Sequence, residues 1–319
     1  MGNNILREKI FLAGSSGMVG SSIYRALKKE GYGEEKYGGK ILIPKREELD
    51  LLNKSEVINW FKNNKPSIVI IAAAKVGGIL ANNNYKADFI YENLMVQSNI
   101  IHSSFKIKVK KLIFLGSSCI YPKFSKQPIK EEYLLDGKLE PTNDAYSIAK
   151  IAGLKMCEAY NKQYNTNYIC LMPTNLYGRN DNYDLKNSHF FPALIAKVHN
   201  AKIKNKKNIV LWGNGKSRRE LMHVDDLARA CEFFLKKNIN HTLINIGSSD
   251  ERTVKEFARF IMKKLKIKLE IKFDYTKPNG TPRKTLNTSL AKRYGWKSEI
   301  SLDEGFEITY RDFLKKDIL

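Results

Sequence analysis

Lys9-Ile10-Phe11-Leu12-Ala13-Gly14-Ser15-Ser16-Gly17-Met18-Val19-Gly20 decides the fold. An apolar run follows a lysine, as in a strand buried on both faces; three glycines come next, three apart. From Met18 the apolar residues recur at helical steps as far as Glu30, where Gly31 stops them. A strand that turns through such glycines into a helix is what a dinucleotide site requires. Gly14 permits the tight turn and Gly17 lets backbone N–H groups approach a pyrophosphate. Gly20 allows the helix to pack closely, and the positive helix end favours the anion. Ser15, Ser16, Met18 and Val19 complete this predicted cradle.

The same rhythm continues outward. Lys40 to Ile43, Ser67 to Ala74, Lys111 to Leu115 and Asn167 to Met172 read as further strands. A second helix begins at Asn53, whose side chain and Glu56 form a cap, and ends before Pro66. Two longer helical patterns cover about Asn84 to Phe105 and about Asp144 to Gln163. Repeated β-α-β units predict an α/β fold, a doubly wound parallel sheet of the Rossmann type covered by helices on both faces. Beyond about Pro173 the rhythm is irregular. The expected organisation is a nucleotide-binding domain over residues 1–172 and a smaller substrate lobe over 173–319. Segments near His223 to Leu235 and Leu243 to Gly247 are expected to return to the first domain.

The 319 residues, 43% hydrophobic and 28% charged, have the balance of a globular chain rather than a disordered or fibrous one. The longest uncharged apolar run, Ile68 to Ala74, falls far short of a membrane span, and leucine stands at position 6 where myristoylation wants a hydroxyl. A cytoplasmic location is expected. Cys119, Cys157, Cys170 and Cys231 show no metal-ligand spacing and read as reduced thiols. The 55 basic against 33 acidic residues give +22, but the lysines are scattered and carry no nucleic-acid motif, so no nucleic-acid partner is expected and the charge reads as a small polyanionic ligand's counterpart or as a lysine-rich proteome.

The end of the second strand bears on the cofactor. An NAD site commonly places an acid there for the ribose 2′-hydroxyl, whereas this chain runs into Pro44-Lys45-Arg46. Arg46 suits a 2′-phosphate, which predicts NADP(H). Tyr146 and Lys150 stand four apart at the start of a predicted helix and so share a face. An ammonium near a phenol favours its ionised form, giving Tyr146 use as a proton donor or acceptor. The strand Lys111 to Leu115 ends in Gly116-Ser117-Ser118-Cys119 at the carboxyl edge, where such sheets bind ligands, and Ser117 can share the substrate oxygen. If the backbone stays extended, Cys119 points the same way as Ser117.

With these motifs in this order the chain resembles the extended short-chain dehydrogenase/reductases. Gly116-Ser117-Ser118-Cys119-Ile120-Tyr121-Pro122 and Asn187-Ser188-His189 are specific to a branch acting on GDP-4-keto-6-deoxy sugars. The resemblance implies Ser117, Tyr146 and Lys150 as the reductase set and Cys119 with His189 as an acid–base pair for epimerisation. It implies cofactor contacts from Leu115, Gly116, Lys150, Pro173, Thr174, Asn175 and Leu176. It also implies a GDP-linked 4-keto sugar held by Lys197, Trp212, Arg219 and Asn279, in a homodimer built on the two long helices. Lys197 and Asn279 depart from the Arg and Asp common in that branch. They keep open a sister reductase of another GDP-4-keto sugar, such as a 4-keto-heptose, with little epimerase activity. A non-catalytic NADP-binding regulator is more remote, since Tyr146 and Lys150 are both present.

Overall fold

A computed structural model of the chain describes residues 5–185, 188–277 and 279–316. In chain order β1 (Lys9–Ala13), α1 (Met18–Lys29), β2 (Lys40–Leu42), α2 (Lys54–Asn64) and β3 (Ile68–Ile71) come first, followed by α3 (Ile79–Asn84), α4 (Lys86–Lys106), β4 (Lys111–Leu115), α5 (Asp144–Tyr164) and β5 (Tyr168–Pro173). Then come β6 (Asn175–Tyr177), α6 (Phe190–Ile203), β7 (Asn208–Trp212), β8 (Arg218–His223), α7 (Val224–Leu235) and β9 (Leu243–Ile246). The chain continues with β10 (Glu251–Thr253), α8 (Val254–Lys264), β11 (Glu270–Asp274), β12 (Arg283–Lys284), α9 (Ser289–Arg293) and α10 (Leu302–Lys315).

Six strands form one parallel sheet in the order β2-β1-β3-β4-β5-β9. Their side chains alternate between two cores, as a sheet buried on both sides demands. Ile10, Leu12, Ile70 and Ile113 meet α1 and α7 on one face, whereas Phe11, Val69, Leu112 and Phe114 meet α2, α4 and α5 on the other. A third core of Tyr177, Phe191, Leu211, Phe257 and Phe306 holds the remaining elements together. There β8 pairs with β6, β10 and β12, while β7 pairs with β11. Although both follow residue 173, β9 joins the first sheet and α7 covers it: α7 packs on α1 through Asp225, which takes hydrogen bonds from Ser22 and Arg25. No helix among the described residues is long and apolar enough to cross a membrane.

Local differences from the sequence reading have local causes. Asn53 caps α2 from outside, its Oδ1 accepting from the N–H groups of Ser55 and Glu56, so the helix opens at Lys54. The third strand leaves the sheet at Ile71, and the residues after it turn to line the central cavity. The long helix expected over about Asn84 to Phe105 is α4, and a break at Tyr85, which has φ −118° and ψ 40°, separates it from the short α3 before it. Before the break, Asn82 Nδ2 bonds the Gly77 and Gly78 carbonyls and ties α3 to its own start.

Candidate active site

The order of the sheet reverses direction between β1 and β3, and a crevice opens at the carboxyl ends of such strands. Gly14 sits there with φ +82°, and a Cβ on it would lie 2.7 Å from the Ala73 nitrogen. On Gly20 a Cβ would lie 1.9 Å from the Gly14 carbonyl, so bare backbone is needed where α1 meets the turn. Gly17 differs: nothing but the Gly14 carbonyl, at 3.6 Å, comes near its missing Cβ. The protein itself leaves room for a side chain at Gly17, so what the glycine keeps clear is the space before the helix. That helix end has no side-chain cap and no acid in its first turn, which leaves its N–H groups for an anion. Arg46, just beyond β2, is exposed and has no side-chain partner among the described residues. These features fit a dinucleotide with a phosphorylated ribose.

A cavity of about 340 Å³ runs from Met18 and Val19 across the strand ends into the C-terminal lobe, a size usual for small-ligand sites. It gathers Leu115, Gly116, Ser117, Cys119, Tyr146, Lys150, the four residues from Pro173 to Leu176, His189, Lys197, Trp212, Arg219 and Asn279. Of the site residues read from sequence, Gly14, Ser15, Ser16, Gly17, Gly20 and Arg46 are not part of its wall. Asn187 lies outside the described residues.

The route by which Ser117 and Cys119 reach the cavity corrects the expectation. The backbone does not stay extended: Ser118–Ile120 is a tight turn capped by Ser117 Oγ, which accepts from the Cys119 N–H at 3.2 Å. Ser147 on α5 donates to the Cys119 carbonyl or to that of Asn143, each at 2.9 Å, pinning the turn to the helix that carries Tyr146. The electrostatics of Tyr146 also differ. Burial, with the nearby Cys119 sulfur, pushes its phenol above the ordinary tyrosine range, and contact with Ser117 only partly opposes this. Lys150 lies 5.9 Å from the centre of the Tyr146 ring and donates to the Leu115 carbonyl at 2.9 Å. Burial lowers its ammonium to about 8. In the free protein Tyr146 is therefore a firmly protonated donor, because desolvation outweighs the ammonium.

His189 stands at the N-terminal boundary of α6, where its side chain makes no capping bond, and lines the cavity. It sits deep among protein atoms, and burial, with the charge of Lys284, lowers its imidazole to about 4, so it is neutral and able to accept a proton. The Cys119 sulfur takes hydrogen bonds from Asn143 Nδ2 at 3.3 Å and Lys284 Nζ at 3.4 Å. Sequence reading gave neither partner a role. Asn143 was visible as the residue before α5, but Lys284 stands in a two-residue strand with no periodicity to mark it.

Arg219, which also lines the cavity, is buried, and burial lowers it to about 10, with Cys119 and Glu140 opposing this. It bonds only carbonyl oxygens, those of Arg218, Asn279 and Thr281, and no carboxylate pairs with it among the described residues. A buried guanidinium without an ion-paired carboxylate is costly, and an anionic ligand in the cavity would offset that cost. Lys197 Nζ lies 5.6 Å over the Trp212 ring and donates to the Val210 carbonyl at 3.1 Å. The Asn279 side-chain oxygen is already used, accepting from the Asn214 N–H at 2.9 Å in the turn after β7.

The chain belongs to the NAD dependent epimerase/dehydratase family, whose profile matches residues 10–247, within the extended short-chain dehydrogenase/reductases. It is 49% identical over 307 residues to a putative GDP-L-fucose synthase 2 of Arabidopsis thaliana, covering 96% of this chain and 92% of that protein. It is 46% identical over 320 residues to the GDP-L-fucose synthase of Escherichia coli K12, covering 97% of each. Among solved structures, a GDP-mannoheptose C4 reductase of Campylobacter jejuni with NADP bound superposes with a TM-score of 0.86 at 37% identity, covering 98% of this chain and 99% of that one.

The buried lysine gives a pH test. Lys150 has a folded value near 8 against 10.5 when unfolded, so between these pH values the unfolded chain binds more protons and stability rises with pH. Denaturant unfolding of the free protein across pH 8 to 10.5 is expected to show this rise, and Lys150→Met to reduce it, the remainder coming from Lys111, which burial also lowers to about 8.

Proposed function

We propose that this protein is an NADPH-dependent 3,5-epimerase and 4-reductase of a GDP-4-keto-6-deoxy-sugar, producing GDP-L-fucose. The observation that carries the proposal is one cavity lined both by a buried Arg219 that no carboxylate pairs among the described residues and by Ser117, Cys119, Tyr146 and His189. A 4-keto group acidifies the protons on C3 and C5. Tyr146 and Ser117 stabilise the charge that develops on the C4 oxygen when such a proton leaves. Cys119 and His189 exchange protons with the carbon: one accepts the departing proton, and the other returns one to the opposite face. Bound NADPH supplies the hydride for the later reduction at C4. Tyr146 then gives its proton to the C4 oxygen, with Lys150 beside it. Arg219 holds the diphosphate, while Trp212 and Lys197 shape the nucleotide end. The choice of NADPH rests on Arg46 and on the NADP-bound relative.

The reductase of another GDP-4-keto sugar is the second reading, favoured by the likeness to the heptose reductase and by Lys197 and Asn279. The higher identity to GDP-L-fucose synthases, with Cys119 and His189 both at the cavity, supports the first. The assembly we propose is a homodimer through α4 and α5, which pack side by side and leave Tyr91, Ile148 and Tyr164 exposed.

Incubation with GDP-4-keto-6-deoxymannose and NADPH in deuterated water is expected to give GDP-L-fucose carrying deuterium at C3 and C5, with NADH a far poorer donor. An undeuterated, unepimerised product would select the second reading. Light scattering at micromolar concentration is expected to give the mass of two chains, and a monomer mass would exclude the dimer.

A further inference from the structure

Lys284 belongs to the strand β12, whose two residues face opposite ways. Arg283 turns outward and donates twice to Glu251, at 2.7 and 2.8 Å, while Lys284 turns into the cavity and reaches the Cys119 sulfur. Backbone bonds hold this short strand in place on both sides: Arg218 N–H to the Pro282 carbonyl at 2.8 Å, and Ile129 N–H to the Thr285 carbonyl at 2.8 Å. The Leu286 N–H is anchored on buried Glu220 at 2.8 Å. Lys284 has no carboxylate within ion-pair distance among the described residues, although Arg283 beside it does. A half-buried ammonium placed against a thiol, with no anion of its own, suits a sulfur that becomes negative.

We propose that Lys284 is a positioning residue for the epimerase half of the reaction, carrying the negative charge on the Cys119 sulfur through each proton transfer. The inference rests on the function proposed above. In every transfer between Cys119 and carbon, the S–H bond and a C–H bond exchange one proton, and the sulfur is anionic on one side of the step. The Lys284 ammonium keeps its own protons throughout and stabilises that side whether Cys119 begins as donor or acceptor. Other groups face the same sulfur. Asn143 comes from the residue just before α5, Tyr146 from α5, and buried Arg219 from β8. Glu140 shares a small cavity with Cys119 and Lys284, but it is already paired with Lys123 at 2.9 Å. Lys284 also charges the surroundings of His189 and opposes its protonation. One ammonium therefore biases both members of the pair, favouring the anionic sulfur and the neutral imidazole.

The test uses full-length Lys284→Met and Lys284→Arg proteins, with NADPH binding by fluorescence confirming that each is folded. Cys157, Cys170 and Cys231 are fully buried, so iodoacetamide in the folded protein reports on Cys119. At neutral pH the alkylation rate is expected to fall about tenfold or more in Lys284→Met and to be largely retained in Lys284→Arg, because the thiolate is the reactive form. This readout needs no substrate, so it stands or falls apart from the proposed activity. Deuterium uptake into GDP-4-keto-6-deoxymannose is expected to fall about tenfold in Lys284→Met with KM nearly unchanged. Unchanged alkylation would overturn the proposal. So would a large rise in KM with kcat kept, which would make Lys284 a substrate-phosphate contact.

Discussion

Where β1 and β3 end, two stretches of backbone approach so closely that no side chain fits between Gly14 and Ala73. The rest of the site depends on this contact. It forces the turn after β1 into the left-handed conformation open to glycine, and the turn starts α1 with its first N–H groups uncapped. It also sets the cradle beside the end of β3, the one strand that separates it from the β4 end leading to Ser117. The apolar strands supply the rigidity. Alternate side chains of β1, β3 and β4 are buried in opposite cores, so a slip of one residue would exchange the two faces.

The chemistry then comes from elements that the sheet holds at fixed distances. The capped turn after β4 presents Ser117 and Cys119, and α5 brings Tyr146 and Lys150 against it through Ser147. The C-terminal lobe closes the other wall with His189, Arg219 and Lys284. Charge in this cavity is arranged by burial more than by pairing. Lys150 and Arg219 bond carbonyl oxygens only, and Lys284 bonds a sulfur. Cations left in this state are costly in the free protein and favourable once anionic oxygens or an anionic sulfur appear among them. Part of the large positive charge of the sequence thus has a place: it points into the cavity, where the proposed function puts a nucleotide diphosphate and the charge that develops on a carbonyl oxygen.

The nucleotide-binding half was readable in the sequence because its signals are local. Apolar runs, glycines at fixed spacing and the Asn53 cap each act over a few residues. The C-terminal lobe was less legible, since β12 has two residues and owes its position to β8 and the segment around Ile129. Lys284 carries no sequence signal of its own, and only tertiary contact gives it a place beside Cys119. The conformation at Cys119 was misread because Ser117 bonds its own backbone, a side-chain choice that alternation does not reveal. The acidity of Tyr146 was misread because spacing shows that Lys150 is near but not how deeply the phenol is buried.

The central claim is that a single oxygen site, Tyr146 with Ser117, serves both proton exchange at carbon and reduction of the ketone. Its most direct test is a Tyr146→Phe protein, in which deuterium uptake at C3 and reduction at C4 are measured side by side. The account predicts that both fall together, by about a hundredfold or more, because the same donor is lost from both steps. Proton exchange at the wild-type rate alongside lost reduction would contradict it.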